Sequence, residues 1–130
     1  MIKTTLALAA SAATLLFASG CASTMATPAA PAMLSSGALV APNGMTLYTF
    51  DKDTAGSGKS TCNGPCAALW PPLMAGANDQ PSGVYSVVTR DDGTRQWAYK
   101  GKPVYFYKPD QKAGDRTGDN FRDVWHIIKE

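Results

Sequence analysis

The sequence contains the same short motif twice, and this duplication constrains the fold more than any other feature. Each copy has a tyrosine, an aromatic residue two positions later and an aspartate three positions after that. The copies consist of Tyr48, Phe50 and Asp53, and of Tyr105, Tyr107 and Asp110. Their offset is constant, because 105 − 48, 107 − 50 and 110 − 53 are each 57. An internal repeat predicts two similar units that share one core.

The spacing within each motif predicts how its side chains are arranged. Residues two apart on a β-strand point to the same face of the sheet, so each motif places two aromatic rings side by side. These rings are expected to fill a core or to line a groove for a sugar or peptide. The aspartates Asp53 and Asp110 come just after the strands, where aspartate often accepts backbone N–H bonds and closes the next turn.

Outside the motifs, short β-rich runs alternate with turn residues over the whole second half of the chain. The clearest are 84–89, 95–99, 103–107 and 124–128. One short helix is expected near Pro65–Trp70, since proline is favoured in the first helical turn and two prolines follow Trp70. The sequence therefore predicts a mostly β fold: a small antiparallel domain built from two repeats, about 39–73 and 96–128.

The N-terminus has the composition of an export signal. Lys3 precedes an apolar run from Thr4 to Phe17 that is too short for a comfortable membrane span. Residues 18–21, Ala-Ser-Gly-Cys, resemble a bacterial lipobox, which predicts a signal peptide over 1–20 and lipidation of Cys21. The alternative is an ordinary signal peptide cut nearby, with Cys21 incidental. By resemblance to enterobacterial sorting, Ala22 after the cysteine favours the outer membrane, facing the periplasm.

Residues 21–36 are rich in Ala, Pro, Ser and Thr and have no hydrophobic period, so we expect a flexible tether there. The globular domain is then expected over 37–130. The formal net charge of +2 comes without a basic cluster, which argues against nucleic acid as a partner. The expected partners are the membrane, through the N-terminal lipid, and an envelope protein or glycan.

The expected globular domain contains two cysteines, Cys62 and Cys66, separated by three residues. Export places them in an oxidising compartment, where paired cysteines are normally bridged, so we predict a structural disulfide. A redox-active pair and metal binding by the thiolates remain as alternatives. The Cys-x-x-Cys spacing of thioredoxin-type sites is absent.

The single histidine, His126, lies on an apolar closing strand between Trp125 and Ile127. Alternation places it on the face opposite those two neighbours, where a surface or hydrogen-bonded role is expected. A metal or haem ligand is the sharper alternative, with Met45, Met74 or a carboxylate as a second ligand. No cofactor is assigned from one histidine.

Taken together, these motifs resemble a bacterial family of predicted lipoproteins defined by a repeated Tyr-x-(Phe/Trp/Tyr)-x-x-Asp motif. The resemblance covers 44–53, 60–67, Trp70–Leu73, 90–94 with 96–97, 101–103, 105–110 and 124–126, in order along nearly all of the expected domain. It implies a secreted or membrane-anchored repeat module, and it transfers no established activity.

Three functional hypotheses follow. The first is a lipid-anchored, non-catalytic envelope lipoprotein that binds or scaffolds. The second is an envelope redox or metal- and haem-handling protein that uses Cys62, Cys66 and His126. The third is a small hydrolase with Asp53 and Asp110 as paired carboxylates, which would have to face each other across a cleft. We expect these two aspartates instead to close their own turns.

Overall fold

The computed structural model describes residues 30–129, and its elements are short. The signal peptide, Cys21 and most of the expected tether lie outside these residues. Among residues 30–129, neither helical segment has the length and hydrophobicity needed to cross a membrane. In chain order the elements are β1 (Met33–Ser35), β2 (Ala38–Val40), β3 (Tyr48–Phe50), α1 (Pro65–Leu69), β4 (Tyr85–Thr89), β5 (Arg95–Tyr99), β6 (Lys102–Pro103), a 3₁₀ turn (Phe121–Asp123) and β7 (Trp125–Ile127).

The strands form three small antiparallel sheets. Strand β1 pairs with β2, β3 pairs with β7, and β4, β5 and β6 form a three-stranded meander. Among residues 30–129 the one α-helix, α1, begins at Pro65 and ends one residue before Trp70, as the proline pattern predicts. The predicted mostly β, antiparallel fold with one short helix is therefore confirmed.

Each repeat ends in a segment that pairs with the other repeat. The closing segment of the first repeat, residues 70–75, lies against the second repeat: Trp97 N donates to Leu73 O at 2.9 Å, and Leu73 N donates to Val104 O at 3.1 Å. The closing segment of the second repeat contains β7, which pairs with β3 of the first. Leu39 N also donates to Ile128 O at 2.9 Å. The two repeats thus exchange their closing segments.

The exchanged strands enclose two hydrophobic clusters. One contains Leu47 and its repeat counterpart Val104, together with Leu39, Trp97 and Ile128. The other is formed by the aromatic motif residues and by Cys62, and its buried members are Tyr48, Phe50, Cys62, Trp70, Tyr105 and Trp125. Adjacent residues such as Leu47 and Tyr48 enter different clusters because successive side chains on a strand point to opposite faces.

The structure differs from the predicted tether at its C-terminal end. Residues 33–35 form β1, and Ala32 is buried in the first cluster, so the folded part begins before residue 37. The cause is a two-residue hairpin loop. Ser36 and Gly37 both have positive φ, 50° and 81°, as the turn that best matches the twist of paired strands requires.

The predicted strand over 103–107 is also shorter than expected. Strand β6 ends at Pro103, because the chain then leaves β5 and Tyr105 forms bridges to Tyr48 and Pro72. The long-range pairing between repeats takes the place of a longer local hairpin.

Candidate functional site

The two tyrosines that begin the repeated motifs meet at the centre of the molecule. Tyr48 N donates to Tyr105 O at 2.8 Å, and Tyr105 N donates to Tyr48 O at 2.9 Å. Both side chains are fully buried. Because the two backbone hydrogen bonds are reciprocal, an approximate two-fold axis passes between Tyr48 and Tyr105. We call this region the repeat junction: the two motifs with Trp70 and Trp125.

The hydroxyl groups at the repeat junction also cross from one repeat to the other. The hydroxyl of Tyr48 donates to Asp110 Oδ2 at 2.6 Å. The hydroxyl of Tyr105 donates to Asp53 Oδ2 in the same way. Each tyrosine therefore binds the aspartate of the other repeat, and the motif links the two halves.

The second oxygen of each aspartate closes the loop that follows it. Asp53 Oδ1 accepts bonds from the Thr61 backbone N–H and hydroxyl, both at 2.7 Å. Asp110 Oδ1 accepts from the Thr117 N–H at 3.0 Å and from the Thr117 hydroxyl. The prediction that each aspartate closes its own turn is confirmed. Hydrogen bonds to a charged acceptor are stronger than neutral ones, so these loops are held firmly.

The environment of the two tyrosines fixes their protonation state. Burial, followed by the hydrogen bond to Asp110, raises the pKa of Tyr48 well above its ordinary value of 10.0. Burial and the bond to Asp53 raise the pKa of Tyr105 likewise. Both phenols therefore remain protonated donors at neutral pH, where they hold the carboxylates in place.

Four rings stack across the same axis and alternate between the repeats. Phe50 stacks on Trp125 with ring centroids 4.2 Å apart, Trp125 on Trp70 at 3.8 Å, and Trp70 on Tyr107 at 4.2 Å. Trp70 and Trp125 are 2% and 3% exposed. The prediction that most aromatic residues are core is thereby confirmed, and the faces of Trp70 and Trp125 are covered by neighbouring rings.

A buried arginine beside the repeat junction connects to it through hydrogen bonds. Arg90, 5% exposed, donates from Nη1 to Ser60 Oγ at 2.9 Å and to Gln96 Oε1 at 2.6 Å, and from Nη2 to Cys62 O. Ser60 Oγ lies 2.6 Å from the hydroxyl of Tyr105. The buried guanidinium is thus connected through Ser60 and Tyr105 to the carboxylate of Asp53, and this chain of hydrogen bonds offsets part of the cost of burying both charges.

Sequence reasoning did not assign Arg90 and Ser60 to the site. The signal in the sequence is weak: Arg90 lies two positions after Val88 and shares its face of the run, and the structure buries both residues. A buried arginine at that position requires several acceptors, and carbonyl and hydroxyl oxygens of the 60–63 segment supply them.

The two cysteines of the domain form a disulfide between Cys62 and Cys66, with Cα atoms 5.2 Å apart. Cys62 is fully buried in the aromatic cluster, and Cys66 lies in the first turn of α1. The bridge ties the start of this helix to the segment that accepts hydrogen bonds from Arg90. Its position is that of a clip between loop and core.

His126 is the middle residue of β7, and its side chain takes no part in the hydrogen bonds of the repeat junction. Its Nε2 is 2.8 Å from Asp51 Oδ2, and its Nδ1 is 3.2 Å from Asn120 Oδ1. Within residues 30–129 neither cysteine is a hydrogen-bond partner of this ring, and no group of three or more His, Cys, Asp or Glu side chains is arranged to hold a metal ion. The contacts of His126 are those of a surface residue that fastens β7 to the turn after β3.

Two surface cavities border these features. One, of about 250 Å³, lies beside the disulfide and is lined by Phe50, Lys52, Cys66 and Arg122 among others. The other, of about 370 Å³, is lined by residues of β3, β5 and β7, among them Thr49, Tyr99 and Ile127. Neither contains the aspartates of the motif.

Comparison with known proteins adds one finding. A family model described as a secreted repeat of unknown function matches the chain twice, over residues 35–74 and 86–129. The search of curated proteins and the search of solved structures found no match. The two matched ranges contain the two motifs and both closing segments, so the repeat in the sequence, the approximate two-fold axis in the structure and the family match agree.

Proposed function

The chain belongs to the family of secreted repeats of unknown function, and on that premise we propose a lipid-anchored envelope protein that acts by binding or scaffolding. The observation that carries the proposal is the crossed pairing of Tyr48 with Asp110 and of Tyr105 with Asp53. Because the motif side chains bind one another, the repeated spacing within the motif serves to join the two repeats, and these side chains are not available to bind a ligand. Recognition then belongs to the outer surface of the domain.

The hydrolase hypothesis needs two carboxyl groups that can reach a substrate across a cleft. Asp53 and Asp110 are 3% and 7% exposed, and all four of their oxygens accept hydrogen bonds. Releasing either one would break a turn and a contact between the repeats. This cost favours a binding role over one in hydrolysis.

The anchor in this proposal is a lipid on Cys21. It is supported by Lys3, the apolar run to Phe17 and the Ala-Ser-Gly-Cys sequence at residues 18–21. Several acyl chains at one terminus hold a protein firmly, since each buried CH₂ contributes about 0.8 kcal/mol. The remaining two cysteines form the disulfide, so Cys21 is the thiol left for modification.

Fractionation of cells with a mass measurement of the mature N-terminus tests the anchor. We expect an acylated Cys21 and a membrane-bound protein, whereas a Cys21→Ser variant should appear in the soluble fraction. A Cys62→Ser, Cys66→Ser double variant is the matched control, because it also removes thiols and should stay with the membrane. An unmodified N-terminus on membrane-bound wild-type protein would overturn the anchor.

The binding role is tested with purified cell-wall and outer-membrane material. We expect saturable retention of the protein, with fragments of unchanged mass in the bound material. Turnover of a simple wall substrate that disappears in a His126→Ala variant would refute the proposal and restore an enzymatic role.

A further inference from the structure

The cavity of about 370 Å³ combines apolar walls with three ammonium groups. Tyr99, Ile127 and Ile128 supply the apolar part of its lining. The cationic part comes from Lys100, Lys102 and Lys129. No acidic side chain is among the lining residues. We call this region the lysine face.

The positive charge of the lysine face has little compensation within the described part of the chain. Over residues 30–129 the one ion pair is that between His126 and Asp51. Lys100 Nζ lies instead over the ring of Tyr99, 5.3 Å from its centre. An uncompensated cluster of this kind attracts anions, and apolar walls that exclude water strengthen the attraction.

Comparison of the two repeats shows that the fold does not require these lysines. The offset of 57 that relates Gly44 to Gly101 makes Asn43 the repeat counterpart of Lys100 and Met45 the counterpart of Lys102. The offset of 55 between Trp70 and Trp125 makes Met74 the repeat counterpart of Lys129. The equivalent backbone of the first repeat is thus built without a cation at any of these positions.

A close backbone contact shapes one wall of the cavity. Gly56 N donates to Gly101 O at 2.9 Å, which holds the loop containing Ala55 against the turn between β5 and β6. A Cβ on Gly101 would meet Gly56 N at 2.7 Å, so only glycine allows this approach. The lysine face is therefore supported by fixed backbone along this wall.

The N-terminal chain enters the domain at the same end. The hydroxyl of Tyr85 donates to Ala32 O at 3.2 Å, and the ring of Tyr85 lies 5.6 Å from that of Tyr99. Ala38 of β2 forms a bridge with Lys129. From Cys21 to Ala32 there are 11 steps along the chain, 32 − 21, and a linker of the flexible kind predicted from the sequence would span about 20 Å on average over that length. A lipid at Cys21 would hold the lysine face close to the membrane.

We propose that the lysine face docks on the anionic phospholipid surface of the leaflet that holds the anchor. This inference rests on the lipid anchor at Cys21 proposed above. The three ammonium groups pair with lipid phosphates, while Ile127 and Tyr99 contact the headgroup layer. The anchor raises the local concentration of lipid, which strengthens this contact and orients the domain.

Vesicle binding of the mature chain, residues 21–130, with Cys21→Ser to remove the lipid, tests the docking directly. The probes are vesicles of phosphatidylethanolamine with and without phosphatidylglycerol. We expect sedimentation with the anionic vesicles that falls as salt is added. Each lysine should contribute about fivefold to the partition coefficient, so Lys100→Gln, Lys102→Gln and Lys129→Gln together should lower it about a hundredfold.

The matched control is a triple variant with the same change in net charge, Lys59→Gln, Lys108→Gln and Lys112→Gln, which should bind almost as well as wild type. Equal loss in both triple variants, or no binding of the wild-type chain to anionic vesicles, would overturn the docking surface. The anchor is measured separately, by the mass of the native N-terminus. A chain that binds anionic vesicles but carries no acyl group would retain the lysine face and reject the anchor.

Discussion

At the scale of single residues, the phenol groups of the repeat junction tie each motif to the aspartate of the other repeat. Tyr48→Phe removes one donor and leaves the buried Asp110 carboxylate without it. Hydrogen bonds to charged groups are worth about 1.5–3 kcal/mol, and we expect the free energy of unfolding to fall by that amount. Denaturation by urea measures the change.

Tyr99→Phe is the control for this substitution, because Tyr99 is half-buried outside the repeat junction. Removal of its hydroxyl should change the free energy of unfolding by less than about 0.5 kcal/mol. A Tyr48→Phe variant as stable as this control would mean that the crossed pairing does not stabilise the fold.

The same phenols predict a loss of stability at alkaline pH. The pKa values of Tyr48 and Tyr105 lie above the ordinary 10.0 in the folded chain, chiefly through burial. The folded state therefore holds protons that the unfolded state releases above pH 10.0, and its stability, complete below that pH, falls as pH rises further.

Thermal melts across the alkaline range, with the absorbance of tyrosinate recorded alongside, measure this effect. Of the five tyrosines, Tyr48 and Tyr105 should ionise only when the chain unfolds. Ionisation of all five before any loss of tertiary structure would contradict the prediction.

At the scale of elements, the turn before the 3₁₀ segment is limited by contact with the stacked rings. A Cβ on Gly118 would meet Trp70 Cη2 at 2.6 Å and Tyr107 at 2.8 Å. Both rings are held in the stack and cannot move aside, so Gly118→Ala should cost about 1–3 kcal/mol of stability. The measurement is the free energy of unfolding.

Gly76→Ala provides the comparison for Gly118→Ala. Its added methyl group would meet only the exposed Asp79 carboxylate, at 3.3 Å, and a small shift of that side chain relieves the contact while weakening one exposed hydrogen bond from the Gly76 N–H. A much smaller loss is expected there. If both variants lost the same stability, the contact with the stacked rings would not be the cause.

The elements also show which parts of the structure the sequence predicts. Alternation within β3 placed Tyr48 and Phe50 on one face, and the prolines around α1 marked its limits, because both signals depend on residues close in the chain. The hairpin of β1 and β2 was missed because its turn, Ser36-Gly37, lacks the stronger Asn-Gly signal.

Longer-range features of the site had weaker signals or none. The burial of Arg90 depends on acceptors about 30 residues away, at Ser60 and Cys62. The exchange of closing strands depends on how two complete repeats pack, and the alternation within Trp125–Ile127 does not reveal which repeat this strand joins.

At the scale of the whole molecule, the exchange makes each repeat incomplete without the other. Strand β3 of the first repeat has β7 of the second as its partner, and β5 receives the segment around Leu73 from the first. The stack of Phe50, Trp125, Trp70 and Tyr107 also alternates between repeats. We therefore expect the polypeptide to unfold as one cooperative unit, and its two-fold pattern resembles a dimer joined into one chain.

Division of the chain in the exposed loop between the repeats tests this interdependence. Fragments 21–80 and 81–130 each lack the strand that completes their sheet, so neither alone should give a cooperative thermal transition as a monomer. Mixed in equal amounts, they should associate and recover the near-ultraviolet circular dichroism of the stacked tryptophans, because each supplies the closing segment that the other needs. A complete chain with a protease site after Gln80, folded first and then cut, is the control and should remain associated. A fragment that folded cooperatively as a monomer would show that the repeats can close upon themselves, and that the exchange is not required for folding.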